Sequence, residues 1–448
     1  MMMRAVLLGV ALGLPLGASG EGLVWSDWDG RQMCRPASFW TPVSEATLRD
    51  WVEYAYTANM PLKVVGAGHS FSPIALSNAT NGFMVSLDEL DQIVGVDGTT
   101  VTVQAGIRLH ALNAELEKRG LALENLGATC EQSLAGAMAT GTHGTGRLLG
   151  SMSTQILGLR MILVNGTVID ATPSKNAEIF RAARVGLGAL GVVTALTLRT
   201  LPLYKLRLNH TILPLDDLLA GLEANSATYE RLQWYWQPPD EARATLITRE
   251  VVDAPVSPGG CWDAVRAESP SLFEGAPAPQ NDSCVDVSYK ALCGSAAHYA
   301  ARKLYTEMEM FVPTDTVLNV IAAFREFIQT TPMPAAANIL VGVRYVASDD
   351  IALSPQRGRD NAVVSVINTG TKAATGDYDT FRLYAAELER IASAGYDARP
   401  HWGKMNYADA LYIEAVYGPS FYEFRDLRAR LDPRGLFLND YLRQRLGV

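Results

Sequence analysis

The first places where residue type and spacing could do chemistry are two glycine-rich stretches far apart in the chain. Val65-Gly66-Ala67-Gly68-His69-Ser70 follows the strand-like run Leu62 to Val65. Its glycines can adopt positive φ and bring backbone N–H groups close to a pyrophosphate. It does not open a long helix in the G-x-G-x-x-G manner, so a Rossmann site is disfavoured. The second stretch, Gly127 to Gly150, carries Ser133, Gly136, Gly141, Thr142, Gly144 and Thr145, small or hydroxyl residues dense enough to line an extended anionic ligand. Its histidine, His143, reads as a hydrogen-bonding residue beside the phosphates rather than a catalyst, and His110 reads as a surface residue of an amphipathic helix. Late in the chain come Arg344 and the run His401-Trp402-Gly403-Lys404. Cations at such places could stabilise negative charge that develops during a reaction. No Cys/His spacing resembles a zinc site, and no metal is expected.

These loops need elements to hold them. A helix is predicted after Thr41, with Thr41 or Ser44 as its cap and Pro42 early. The run Gly82 to Ala105 alternates with period two around an Asp97-Gly98 turn and reads as hairpin structure. A helix from Ile107 closes at Gly120, and two strands flank Asn165-Gly166. Beyond residue 205 strands mix with amphipathic stretches, as in a separate domain, and a last helix stops before Pro433.

The chain has 448 residues, of which 48% are hydrophobic and 19% charged, so it can bury a large cofactor within two domains. A net charge of −9 argues against nucleic acid as a partner, which requires clustered cations. Arg4 precedes an apolar stretch from Ala5 to Leu16, followed by small residues and Ala18-Ser19-Gly20, the pattern of a signal peptide over 1–20, with a mature start near Glu21 and secretion expected. No segment is long and apolar enough for an integral membrane span. Sequons at Asn78, Asn165, Asn209 and Asn281 suit a secretory route. Five cysteines, Cys34, Cys130, Cys261, Cys284 and Cys293, leave at least one thiol unpaired. A disulfide is expected among Cys261, Cys284 and Cys293 in the Pro/Gly-rich stretch 255–294. Cys130 reads as a plain buried thiol.

The combination VVGAGHSFSP, AGAMATGTHGTG, LGALGVVTALTL and RPHWGKMNY resembles the aldonolactone oxidase branch of the vanillyl-alcohol-oxidase flavoprotein superfamily, over residues 30–448. The resemblance implies an α+β fold: a two-lobed FAD-binding domain of PCMH type over 31–205 and an α+β cap over 206–448, with 400–448 returning to the flavin. It implies that FAD is held by Val65, Gly66, Ala67, Gly68, His69, Ser70, Ser133, Gly136, Ala137, Gly141, Thr142, His143, Gly144, Val192 and Val193, with a covalent bond from His69 to the flavin. It further implies that Lys404, Arg344 and His401 serve catalysis on a sugar lactone or polyol, with dioxygen as acceptor and hydrogen peroxide as product. An alditol oxidase, or a secreted flavoprotein that has lost turnover, stays open. One departure stands out: relatives place a glutamate two residues before the arginine, and here that position is Gly342. Its substitute would be a nearby carboxylate such as Asp349 or Glu309, or the substrate would be other than a typical aldonolactone.

Overall fold

In a computed structural model of the chain, residues 18–19, 23–77, 79–268, 280–293, 304–331, 339–368 and 375–448 are described. The signal peptide, the start near Glu21 and the Asn78 sequon lie outside them, apart from the short strand Ala18–Ser19.

Besides two short two-stranded pairings, residues up to Pro202 build two sheets that flank the glycine loops. In the four-stranded sheet, Ser38–Trp40, Phe83–Ser86 and Leu62–Val65 run parallel. The five-stranded sheet is antiparallel, in the order Val168–Ala171, Ile156–Ile162, Val192–Arg199, Thr100–Gln104, Ile93–Asp97. The two hairpin turns expected from sequence close at Gly98 (φ 56°) and Gly166 (φ 81°), where a side chain would be strained. Ser44, not Thr41, caps the helix Glu45–Thr57 by accepting from the Thr47 N–H, which satisfies one of the free donors of the first turn.

From Lys205 onward the chain forms an eight-stranded sheet, and its period-two alternation assigns each face a different task. Leu232, Trp234, Trp236, Met308, Met310, Val341, Val343, Val364 and Val366 point to one face and pack under the helices Leu215–Thr228, Val317–Thr330 and Thr375–Gly395. The other face carries Gln233, Tyr235, Glu307, Glu309, Arg344 and Ser365, and it looks toward the glycine loops. Burying one face in a wholly apolar layer fixes the register, so the polar set cannot slip by one residue without exposing that core.

The last part of the chain crosses back. Arg399–Pro400 pairs with Phe311 and Met310 at the edge of the large sheet, and Trp402, Ile413, Phe421 and Phe424 then join the same core as Leu134, Met138 and Leu196. Two disulfides are present, Cys261–Cys284 and Cys130–Cys293. The first was expected. The second corrects the reading of Cys130 as a plain thiol: it ties the start of the second glycine loop to the end of the insertion, and Cys34 is the cysteine left free.

Candidate active site

A groove runs between the two smaller sheets, lined by Val65 to Ser70, Gly106, Ser133, Gly136, Ala137, Gly188, Gly191, Val192 and Val193. Close approach explains its glycines. A Cβ on Gly66 would sit 1.8 Å from Ser133 Oγ, and one on Gly106 would sit 1.8 Å from the Leu87 carbonyl oxygen. Gly68 has φ 70°, and its carbonyl oxygen accepts from the Trp28 N–H at 2.8 Å. Among the described residues, the N–H groups of Ala67, Gly68 and Ser70 are not spent on backbone carbonyls, which leaves a row of donors for an anion. A long groove of small residues ending in unspent donors fits a flavin dinucleotide.

At His69 and Ser70 the groove meets a second cavity of opposite character. The His69 ring stacks on Trp28, with centroids 5.1 Å apart. The floor of this cavity is the polar face of the large sheet, and its wall is the segment His401 to Lys404. That segment is strapped down at both sides. His401 N donates to Glu309 O at 3.1 Å and Met405 N to Glu307 O at 3.1 Å, while Phe71 N donates to Gly403 O at 2.8 Å. Ser72 Oγ holds Trp402 O at 2.7 Å, and the Trp402 indole donates to Leu353 O at 2.7 Å. Trp402 is therefore core that anchors the turn.

Charge concentrates here. Lys404 Nζ forms an ion pair with Glu307. Burial works against the ammonium, but Glu307 and Glu309 outweigh it and hold Lys404 above the usual lysine range. Arg344 donates to Gln233 Oε1 at 3.2 Å and to the Tyr235 hydroxyl at 2.9 Å, and lies 3.6 Å from Glu309 Oε1. Burial disfavours its charge too, yet Tyr235, Glu309 and Glu307 hold it above the ordinary guanidinium range. Burial alone would raise Glu309, but Lys404, His143 and His401 hold it well below the usual carboxylate range. His401, buried, is pushed down to about 3, so its imidazole is neutral. The nearest ligand-type atoms of His143, Glu309 and His401 lie within 4.8 Å of one another. Arg344 and Lys404 already answer Glu309, and their charges oppose a metal cation there.

Not every residue assigned to the cofactor from sequence faces the groove. Thr142 and His143 line the charged cavity instead. Gly141 (φ 78°) turns the chain against Pro355, and a Cβ on Gly144 would strike Asn125 and Leu126. The second loop bends away after Thr140, which is why its later half serves the other cavity. His110 is half-buried, 3.2 Å from Glu131, rather than a plain surface residue.

The position of Gly342 is also explained. Tyr235, Gly342, Ser365 and Glu309 are successive cross-strand neighbours. A Cβ on Gly342 would meet the Tyr235 ring at 2.7 Å and Ser365 Oγ at 2.8 Å. Tyr235 thus fills the space of a side chain at 342, and the cavity takes its carboxylate from Glu309 one strand beyond Ser365. Asp349 does not reach it, being held by Ser354 Oγ and the Ile351 N–H. Sequence reasoning missed Glu307, Tyr235 and Gln233. A signal existed in Thr306-Glu307-Met308-Glu309-Met310, where two carboxylates alternate with apolar residues and must share a strand face.

A family model described as FAD binding domain matches residues 36–172, and one described as D-arabinono-1,4-lactone oxidase matches 270–445. L-gulono-1,4-lactone dehydrogenase of Mycobacterium tuberculosis is 32% identical, covering 95% of this chain and 99% of that protein. L-gulonolactone oxidase of Mus musculus is 29% identical, covering 94% and 98%. Among solved structures, a chitooligosaccharide oxidase superposes with a TM-score of 0.76 over 96% of this chain and 97% of that one, at 16% identity, and so shares the fold. With FAD as its cofactor, the chain belongs to the aldonolactone oxidase branch of the vanillyl-alcohol-oxidase flavoprotein superfamily.

Proposed function

We infer that this protein oxidises a carbinol of a sugar-1,4-lactone, of the gulono-, galactono- or arabinono- kind, and passes the electrons to dioxygen with release of hydrogen peroxide. The observation that carries the reading is the meeting of the glycine groove with the cavity of Lys404, Arg344 and Glu309 at His69. FAD held in the groove would supply the acceptor for a hydride from the substrate. The chain's residues do the rest. Lys404 and Arg344 supply a positive field for the oxygen of the reacting carbinol. Glu309 and the Tyr235 hydroxyl offer acceptors for the remaining hydroxyls, and the buried walls orient the ring.

The division of labour supports a cofactor domain over 31–205 and a cap over 206–448, with 400–448 completing the site. The position of His69 at the junction supports a covalent bond to the flavin. Two disulfides suit an oxidising compartment and hence secretion. The exposed Asn165 and Asn281 suit glycosylation.

A panel of lactones and alditols, scored by peroxide release in air and by reduction of an artificial acceptor without it, tests substrate and acceptor together. Lactone turnover with peroxide is expected; turnover with the artificial acceptor alone makes the enzyme a dehydrogenase. For the tether, denatured protein should carry fluorescent flavin on a gel and His69→Ala should not. Complete release of FAD from the wild type would remove the covalent bond from the account.

A further inference from the structure

An arginine has only donors, so what Arg344 presents to a substrate depends on which of its nitrogens the protein already occupies. Nε donates to Gln233 Oε1 at 3.2 Å and Nη2 to the Tyr235 hydroxyl at 2.9 Å. Nη1 stops 3.6 Å short of Glu309 Oε1, and the side chain, which lines the cavity, keeps 14% exposure. Two nitrogens are held and the third is left for a substrate oxygen. We propose that Gln233 and Glu268 are positioning residues that aim this guanidinium at the substrate. The proposal rests on the reading of Arg344 as a cation that acts on a lactone or polyol.

Behind Arg344 runs a chain of hydrogen bonds whose directions are forced. Gln233 stands opposite Arg344 on the neighbouring strand. Because the arginine cannot accept, the amide must turn its oxygen to Arg344 and its NH2 away. That NH2 donates to Glu268 Oε2 at 2.7 Å. Oε2 therefore carries no proton, since a carboxylic O–H there would face another donor. Arg249 donates to Oε1 of the same carboxylate and, through Nε, to the Ala291 carbonyl oxygen at 2.8 Å. Burial pushes Glu268 up to about 7, while Arg249, Arg344 and Gln233 pull against it. Only a carboxylate accepts on both sides, and in doing so it fixes which way the Gln233 amide points. Gln233, Arg249 and Glu268 are all buried, so a partner lost from the chain is costly.

The outer members of the chain belong to the cysteine-bearing insertion. Glu268 ends the helix Trp262–Ala267, which starts at Cys261, and Ala291 lies in the helix Ser288–Leu292, just before Cys293. The disulfides Cys261–Cys284 and Cys130–Cys293 thus hold the two segments from which Arg344 is steered.

The test uses FAD-loaded protein without oxygen and compares wild type with Gln233→Met, Glu268→Gln and the double variant Gln233→Glu/Glu268→Gln. Gln233→Met spares the Arg249–Glu268 pair but leaves Arg344 Nε without its acceptor. In Glu268→Gln one amide oxygen faces two donors, from Arg249 and Gln233, so one junction breaks. The double variant restores every direction at unchanged total charge: the new amide accepts from Arg249 and donates to the new carboxylate, which accepts from Arg344. Each single change should slow the limiting rate of flavin reduction on the order of 10²-fold. Substrate affinity, read from the concentration dependence, should move less than about threefold. The double variant should regain at least about tenfold over Glu268→Gln. A merely structural role would lower the unfolding temperature without this split or this rescue. Where Glu268→Gln or the double variant does not hold flavin, Arg249→Met/Glu268→Met removes the buried pair together and should slow reduction as Gln233→Met does. Wild-type rates in Gln233→Met, Glu268→Gln or Arg249→Met/Glu268→Met, or a flavin-holding double variant no faster than Glu268→Gln, would overturn the proposal alone. Wild-type flavin that no lactone or alditol reduces would overturn the functional reading and the proposal with it.

Discussion

Lys63 is buried in the glycine groove and Lys404 half-buried in the charged cavity, and their surroundings push them in opposite directions. Among the described residues, Lys63 has the Phe437 carbonyl as its one hydrogen-bond partner, at 3.4 Å, and burial pushes it down to about 7. Lys404 has Glu307 and Glu309 beside it and is held above its ordinary range. The groove binds by shape, through glycines and backbone donors, and tolerates charge poorly. The cavity is a set of mutually answered charges whose net effect is a field. Burial alone therefore does not make a catalytic cation; the carboxylates on the polar face of the large sheet do.

If the groove works by shape, filling it should be the most damaging change. Gly106→Val forces a branched side chain against the Leu87 carbonyl, which cannot swing aside. Purified variant should hold no flavin by absorbance and should lose on the order of 1–3 kcal/mol in denaturant unfolding. A Gly106→Val protein with full flavin content would show that the groove is not the cofactor site.

If the cavity works by field, removing one charge should spare binding. Lys404→Met should slow flavin reduction on the order of 10²–10³-fold with little change in substrate affinity, since the interaction matters mainly in the transition state. Unchanged reduction would make Lys404 structural.

The smallest effect falls on Lys63, with the opposite sign. Its folded value lies below its ordinary one. The stability it allows is therefore full above about pH 10.4, where both states are neutral, and is lost as the pH falls toward 7. Lys63→Met should make flavin-free protein more stable at neutral pH, on the order of 1–3 kcal/mol, and flatten the decline between pH 10 and 7. Thermal unfolding across that range measures both; a variant less stable at pH 7 would mean that the Lys63 ammonium is stabilised by a further partner.

Much of this contrast was legible in the sequence where the cause is local. Gly66 and Gly68 after a strand, the turns at Gly98 and Gly166, and the Ser44 cap all follow from backbone demands within a few residues. Family resemblance supplied Lys404 and Arg344. The illegible parts depend on register between distant strands. That Glu309 stands two strands from Arg344 follows from the pairing of Thr306–Pro313 with Asn361–Asn368 and of that strand with Ile339–Val346. The Cys130–Cys293 bond spans a sequence separation of 163, beyond any local signal. His143 was misplaced for the same reason, since nothing in Gly-Thr-His-Gly-Thr shows where the loop leaves one cavity for the other.

The central claim is that the groove holds FAD and the adjoining charged cavity presents a lactone to it. Anaerobic addition of gulono-, galactono- and arabinonolactone to the yellow holoenzyme tests this in a single turnover. The account predicts that at least one bleaches the flavin stoichiometrically and that air restores the colour with peroxide. Flavin that stays yellow under all three lactones and under alditols would contradict it.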